Sequence, residues 1–348
     1  MASPTSSSDA VRATLAVVAL GVTARLGDCL RSLESHESTC AFDIVCVVNA
    51  ESPDAPLELS TLETEHPRVR FVPSPVNLGW AGGLQLARRY AAGEYLVQVQ
   101  DDMVVTPGWL DALVTAADAH HDIGAFGSLQ VDEQGSARRF NAGFAEPPAE
   151  VRRWNDTDTT VENTPAEVTR FGWVTSKGML ARLSAWDDVG GPDPRLFPLN
   201  HVDKDYCSHL RAHGWAVALV PTANLVHQGN QSAPGLMRAF LSEWHADRLA
   251  QRWGEVLKQL PGSEARPLPH DCTRGRHERL EHEVAIEAST LAVAVGRWTQ
   301  RRRVRQDAAL ESARARTVKA EAEVVAMRSS LSWKLTSPLR RLRAILSR

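Results

Sequence analysis

From residue 11 to about 253, short apolar runs alternate with amphipathic stretches. Residues 14–20 (TLAVVAL), 43–48 (DIVCVV), 69–72 (VRFV), 95–99 (YLVQV) and 216–220 (AVALV) have the length and make-up of buried strands. Between them, Cys29, Leu30 and Leu33 fall on one side of a helix, and residues 203–212 read as another helix that stops at Gly214. Gly190-Gly191-Pro192-Asp193 marks a turn. This rhythm predicts an α/β domain over residues 11–255, built on a Rossmann-like, mainly parallel sheet. Residues 132–169 are polar and rich in Pro, Glu and Asp, and read as an insertion or long loop beside the site. Order resumes over 171–180.

The ends differ in character. Residues 1–10 are polar and predict a disordered tail. Residues 256–275, containing LPGSEARPLP, predict a linker. From 276 to 331 the chain is charged and alanine-rich, and predicts a helical extension. One stripe runs Leu280, Val284, Ala288, Leu291, Val295, Trp298. A second runs Leu310, Ala313, Thr317, Ala320, Val324, Met327, Leu331, with the alternating three-four spacing of a coiled-coil seam. A helical pair packed on its own globular domain and self-association both satisfy this pattern. Residues 332–348 carry no acid; Trp333, Leu339, Leu342 and Ile345 are interleaved with Arg340, Arg341 and Arg343. That basic amphipathic segment suits peripheral contact with an anionic membrane face, or docking on a partner or on the protein itself.

Composition narrows the class only a little. A net charge of −3 over 348 residues gives no electrostatic case for nucleic acid. Five cysteines without a C-x-x-C pair fit a reduced, cytoplasmic protein. The amino terminus lacks the basic-then-apolar order of a signal peptide, and the apolar run at 13–20 is too short to span a bilayer.

The chemistry concentrates in two blocks. The first, residues 75–110, places NLGWAGG, a helix, the apolar run 95–99, then Gln100-Asp101-Asp102 and Pro107 in order. Glycines allow the backbone to approach a phosphate or sugar, and carboxylates at a strand's carboxyl end can hold a divalent cation. The second, residues 190–232, runs GGPDPRLFPLNHVDKDYCSHLRAHGW and later VPTANLVHQGNQS. Together they resemble family 2 glycosyltransferases of GT-A fold, especially the bacterial rhamnosyl- and galactofuranosyltransferase-like branch.

The resemblance covers residues 11–250 and implies a set of roles. Asp102 and His227 would bind Mn²⁺ or Mg²⁺. Asn49, Asn77, Gly79, Gly82, Gly83, Gln100 and Asp101 would hold a nucleotide-sugar donor. Asp203 would be the catalytic base of an inverting transfer, and Asp205 would bind acceptor. Read from the residues alone, Asp203 also suits a helix cap and His227 a structural histidine. His201, Arg211 and Trp215 suit either acceptor binding or packing. The implied activity is metal-dependent transfer to a saccharide or lipid-linked glycan in cell-surface polysaccharide synthesis, at the cytoplasm or the inner face of the plasma membrane.

Ala19-Leu20-Gly21 stands where T-Y-N is common in the family; Gln100 and Asn49 stand where acids are usual, and Val202 where Glu is usual. They keep open a non-catalytic subunit that binds glycan or nucleotide sugar. A sugar-phosphate nucleotidyltransferase is a further alternative, though 21–27 (GVTARLG) makes a thin phosphate loop. The motifs do not encode the donor sugar, nucleobase, acceptor or linkage.

Overall fold

A computed structural model describes residues 10–49, 55–132, 137–139, 142–143, 165–228, 235–253 and 280–329. The expected tail, the linker, the basic segment 332–348 and most of the polar insertion lie outside them. In chain order the elements are β1 (Ala13–Leu20), α1 (Ala24–Glu34), β2 (Phe42–Asn49), α2 (Ala55–Glu65), β3 (Val69–Ser74), α3 (Gly79–Arg88), β4 (Tyr95–Gln100), β5 (Met103–Val105), α4 (Trp109–Ala119) and β6 (Ile123–Val131). Then follow β7 (Ala137–Arg139), β8 (Ala142–Gly143), β9 (Thr169–Arg170), β10 (Trp173–Val174), β11 (Met179–Arg182), α5 (Leu183–Val189), α6 (Val202–Ala212), β12 (Ala216–His227), α7 (Gly235–Trp253) and α8 (Leu280–Ser329).

The central sheet runs β3-β2-β1-β4-β11-β6-β12-β5. Pairings β3·β2, β2·β1, β1·β4 and β6·β12 are parallel, whereas β11 runs antiparallel between β4 and β6. The sheet is therefore mixed but mainly parallel, as the alternating pattern predicts. Strand β1 is buried along almost its whole length, because helices cover both faces of the sheet; hence its unbroken apolar run. Thr23 caps α1 by accepting a hydrogen bond from the Leu26 N–H at 3.2 Å.

Strand β12 carries Pro221 in its interior. Its register with β6 slips between Val220 and Asn224, so Pro221-Thr222-Ala223 forms the irregular stretch where a missing N–H is tolerated. Beyond it the strand pairs antiparallel with β5, setting His227 opposite Met103. The Thr106 hydroxyl donates to the Asn224 carbonyl at 2.7 Å, and the Gln228 N–H donates to the Asp102 carbonyl at 3.0 Å.

The chain divides into two compact units, Met1–Ser289 and Thr290–Arg348, with the division inside α8. Of the two readings of the stripes, the helical pair is not formed: α8 is one helix from Leu280 to Ser329. The residues between the stripes, 299–309, contain neither Gly nor Pro, so nothing breaks it. In the first unit, Leu280 and Val284 pack with Leu78 near the start of α3.

Candidate active site

Parallel strands leave their carboxyl ends on one edge of the sheet, and loops from β1, β2 and β4 meet there. They border a cleft of about 390 Å³ lined by Leu20, Asn49, Gln100, Asp101 and Asp102 on that side, and by Ser176 and the segment 198–204 on the other. Asp102 and Asp203, 101 positions apart in sequence, thus border one cavity.

Asp102 is largely buried, and its Oδ2 faces His227 Nε2 at 3.2 Å. The contact lacks hydrogen-bond geometry, and both His227 Nε2 and Asp102 Oδ1 are buried without a hydrogen-bond partner. Two orphaned ligand atoms, one carboxylate oxygen and one imidazole nitrogen, are a donor set that fits a divalent cation. Among the described residues no group of three or more His, Cys, Asp or Glu forms a closed cation site. A two-ligand site suits an ion that also takes phosphate oxygens. Next to it, burial and the charge of Asp102 push the Asp101 carboxyl up to about 6.

Asp203 lies in the first turn of α6, two residues after the N-cap His201. The carboxylate is held on both sides: Oδ1 accepts the Lys204 N–H at 2.9 Å and Oδ2 the Ser176 N–H at 3.4 Å. It still has lone pairs for a hydroxyl in the cleft. Neighbouring Lys204 sits 4.7 Å over the Trp173 ring, and burial lowers its ammonium to about 8.

The loop before α6 is strained. Asn200 and His201 have φ of 78° and 59°, a region non-glycine residues enter at a cost. Helix α7 secures it: His201 Nε2 lies 3.2 Å from the Ser242 carbonyl and His245 Nδ1 lies 3.1 Å from the Asn200 carbonyl. Burial lowers these imidazoles to about 3 and about 4 respectively, so both are neutral. His201 therefore packs and lines the cleft at once. Arg211 and Trp215 do not border it; the Trp215 indole donates to Asp188 instead, at 3.0 Å.

The expected donor residues separate into two groups. Asn77 Oδ1 accepts the Gly79 N–H at 2.8 Å and Asn49 Oδ1 accepts the Leu78 N–H at 3.0 Å, so both amides shape the turn that borders the cleft. Gly79 has φ of +67°, and a Cβ there would meet the Pro198 carbonyl oxygen at 2.6 Å. Gly82 and Gly83 are corrected: they lie inside α3 and do not line the cleft. A Cβ on Gly83 would meet Val18 Cγ1 at 2.5 Å and one on Gly82 would meet Leu78 Cβ at 3.0 Å. Their smallness serves close helix packing.

Asp205 is corrected as well. It is fully buried and turned from the cleft. It accepts from Arg252 Nη1 at 2.8 and 3.0 Å and from Trp253 Nε1 at 2.8 Å. Arg252 also reaches buried Asp193 at 2.9 Å, and Asp193 pairs with Arg195 at 2.7 Å. Those arginines hold the Asp193 carboxyl well below the usual range against its burial. Lys204, Ser176 and Arg238 also line the cleft, and a lone basic or hydroxyl side chain has no sequence pattern that would mark it.

In a mainly parallel α/β sheet, a cleft at the carboxyl ends of the strands is the usual place for a bound ligand. Residues 14–182 match the family model described as Glycosyl transferase family 2. An N-acetylglucosaminyl-diphospho-decaprenol L-rhamnosyltransferase of Mycobacterium tuberculosis, in strains CDC 1551 / Oshkosh and ATCC 25618 / H37Rv, is 28% identical over 224 residues, covering 56% of this chain and 72% of the relative. The crystal structure of GalNAc-T7 with UDP, GalNAc and Mn²⁺ shares the fold with TM-score 0.51 at 15% identity, over 81% of this chain and 58% of that one. Residues 14–182 thus carry a glycosyltransferase family 2 domain, on the GT-A fold. Among the described residues no helix is long and apolar enough to cross a membrane.

Proposed function

We propose that the protein is a metal-dependent inverting glycosyltransferase that moves a deoxyhexosyl or hexosyl group from a nucleotide sugar to a lipid-linked glycan in cell-surface polysaccharide synthesis. One observation carries the reading: Asp102, paired with His227, and Asp203 border the same cleft. The lipid-linked acceptor rests on the activity for which the mycobacterial relative is named.

Asp102 and His227 would hold Mn²⁺ or Mg²⁺, which supplies positive charge against the diphosphate as it departs. Asn77, Gly79, Asn49 and Gln100 position the donor. Asp203 accepts the proton of the acceptor hydroxyl while its oxygen forms the new bond to the anomeric carbon. The bond from that carbon to the diphosphate breaks in the same displacement, and the nucleoside diphosphate leaves with the electron pair. The N–H groups of Lys204 and Ser176 fix the carboxylate's direction, so little reorganisation is needed.

The test is Mn²⁺-dependent nucleoside diphosphate release from a panel of nucleotide sugars with a polyprenyl-diphospho-sugar acceptor. Asp203→Asn should lower transfer by about 10²–10⁴-fold, the usual worth of a general base, with donor affinity retained. Wild-type transfer rates in Asp203→Asn would overturn the assignment.

A further inference from the structure

The second stripe of α8 is not used by the active site. Every described side chain from Arg301 to Glu323 is exposed, including Leu310 at 51%. With Leu310 as the first core position of a heptad, 310, 317 and 324 alternate with 313, 320 and 327. The Thr317 hydroxyl donates to the Ala313 carbonyl at 3.1 Å, which leaves its methyl as its contribution to such a seam. The flanking positions carry charges in blocks: Arg314 and Arg316 beside one half, Glu321 and Glu323 beside the other.

We propose that this seam pairs with the same seam of a second copy of the chain, antiparallel, centred between Val318 and Lys319. Two features favour that occupant. Antiparallel pairing sets position 310 opposite 327, 313 opposite 324 and 317 opposite 320, so the small Ala313, Thr317 and Ala320 gather towards the centre and Leu310 lies at each end. A parallel pair in register would stack Ala313 on Ala313 and Ala320 on Ala320, leaving thin layers between wide ones. The same alignment also sets Arg314 against Glu321 and Arg316 against Glu323, each twice by symmetry. A competing stripe through Val304, Val318 and Val325 places Glu311 in its own seam and is not chosen.

The test is the molar mass and dimer dissociation constant of the full-length protein by sedimentation and light scattering. Wild type should dimerise. Arg316→Glu sets like charges together twice and should weaken the dimer about tenfold, with helix content by circular dichroism unchanged. The double variant Arg316→Glu/Glu323→Arg should restore it. A monomeric wild type, or an Arg316→Glu dimer of wild-type strength, would overturn the proposal. Rescue by Arg316→Glu/Glu321→Arg instead would overturn the antiparallel register.

Discussion

Arg252→Met tests whether the carboxylates behind the strained loop are structural. In the native protein Arg252 bridges Asp193 and Asp205, whose side chains are at most 1% exposed. Methionine nearly matches the aliphatic stem but leaves Asp205 with one strong donor, the Trp253 indole at 2.8 Å. Asp193 keeps Arg195. Removing one partner of a buried pair strands a charge and costs about 3–5 kcal/mol. That is a large share of a domain stability of about 5–15 kcal/mol. Removing both partners costs far less, so Arg252→Met/Asp205→Asn should recover about 2 kcal/mol or more of the loss. Urea denaturation followed by tryptophan fluorescence reads all of these values. A loss under about 1 kcal/mol for Arg252→Met, or a double variant whose loss equals the sum of its parts, would refute the reasoning.

Other consequences follow from the same geometry. Asp205→Asn, measured at a temperature where it stays folded, should keep transfer within a few-fold of wild type, because its carboxylate does not face the cleft; an acceptor KM raised more than tenfold would contradict this. Gly83→Ala drives a methyl against Val18 and should cost about 1–3 kcal/mol by chemical denaturation. Gly79→Ala should chiefly raise the donor KM, since it displaces the turn at the cleft. His201 and His245 are neutral when folded, with values near 3 and 4, below the ~6.5 of an unfolded histidine. Below about pH 6.5 the unfolded chain binds more protons, so their contribution to stability is present above that pH and lost as pH falls towards 4. His245→Gln should make stability fall less steeply between pH 6.5 and 4.5, as read by denaturation at a series of pH values.

Much of the fold was legible because parallel strands buried on both faces must be apolar throughout, and the chain shows such runs at β1, β2 and β4. The acids after β4 were legible for the same reason: they follow the end of an unmistakable strand. His227 is harder to read, since its place depends on the slip at Pro221 and the return pairing with β5. Gly82 and Gly83 misled because the same glycines serve a phosphate loop or a helix pressed on a sheet; only the Val18 and Leu78 contacts decide. Asp205 misled because the family motif names it beside Asp203. Two positions apart on a helix, however, the side chains point to different faces. Its partners, Arg252 and Trp253, lie 47 and 48 residues further on, beyond the reach of local pattern.

The account rests on a division of labour between Asp102 with His227 and Asp203 within one cleft. Binding of Mn²⁺ with a nucleoside diphosphate, followed by water proton relaxation, tests it most directly when read beside sugar transfer. The account predicts that Asp102→Asn binds Mn²⁺ at least about tenfold more weakly, a typical cost of losing one charged ligand. Asp203→Asn should bind it as wild type does and yet transfer almost no sugar. Wild-type Mn²⁺ binding in Asp102→Asn, or equal loss of binding in both variants, would contradict it.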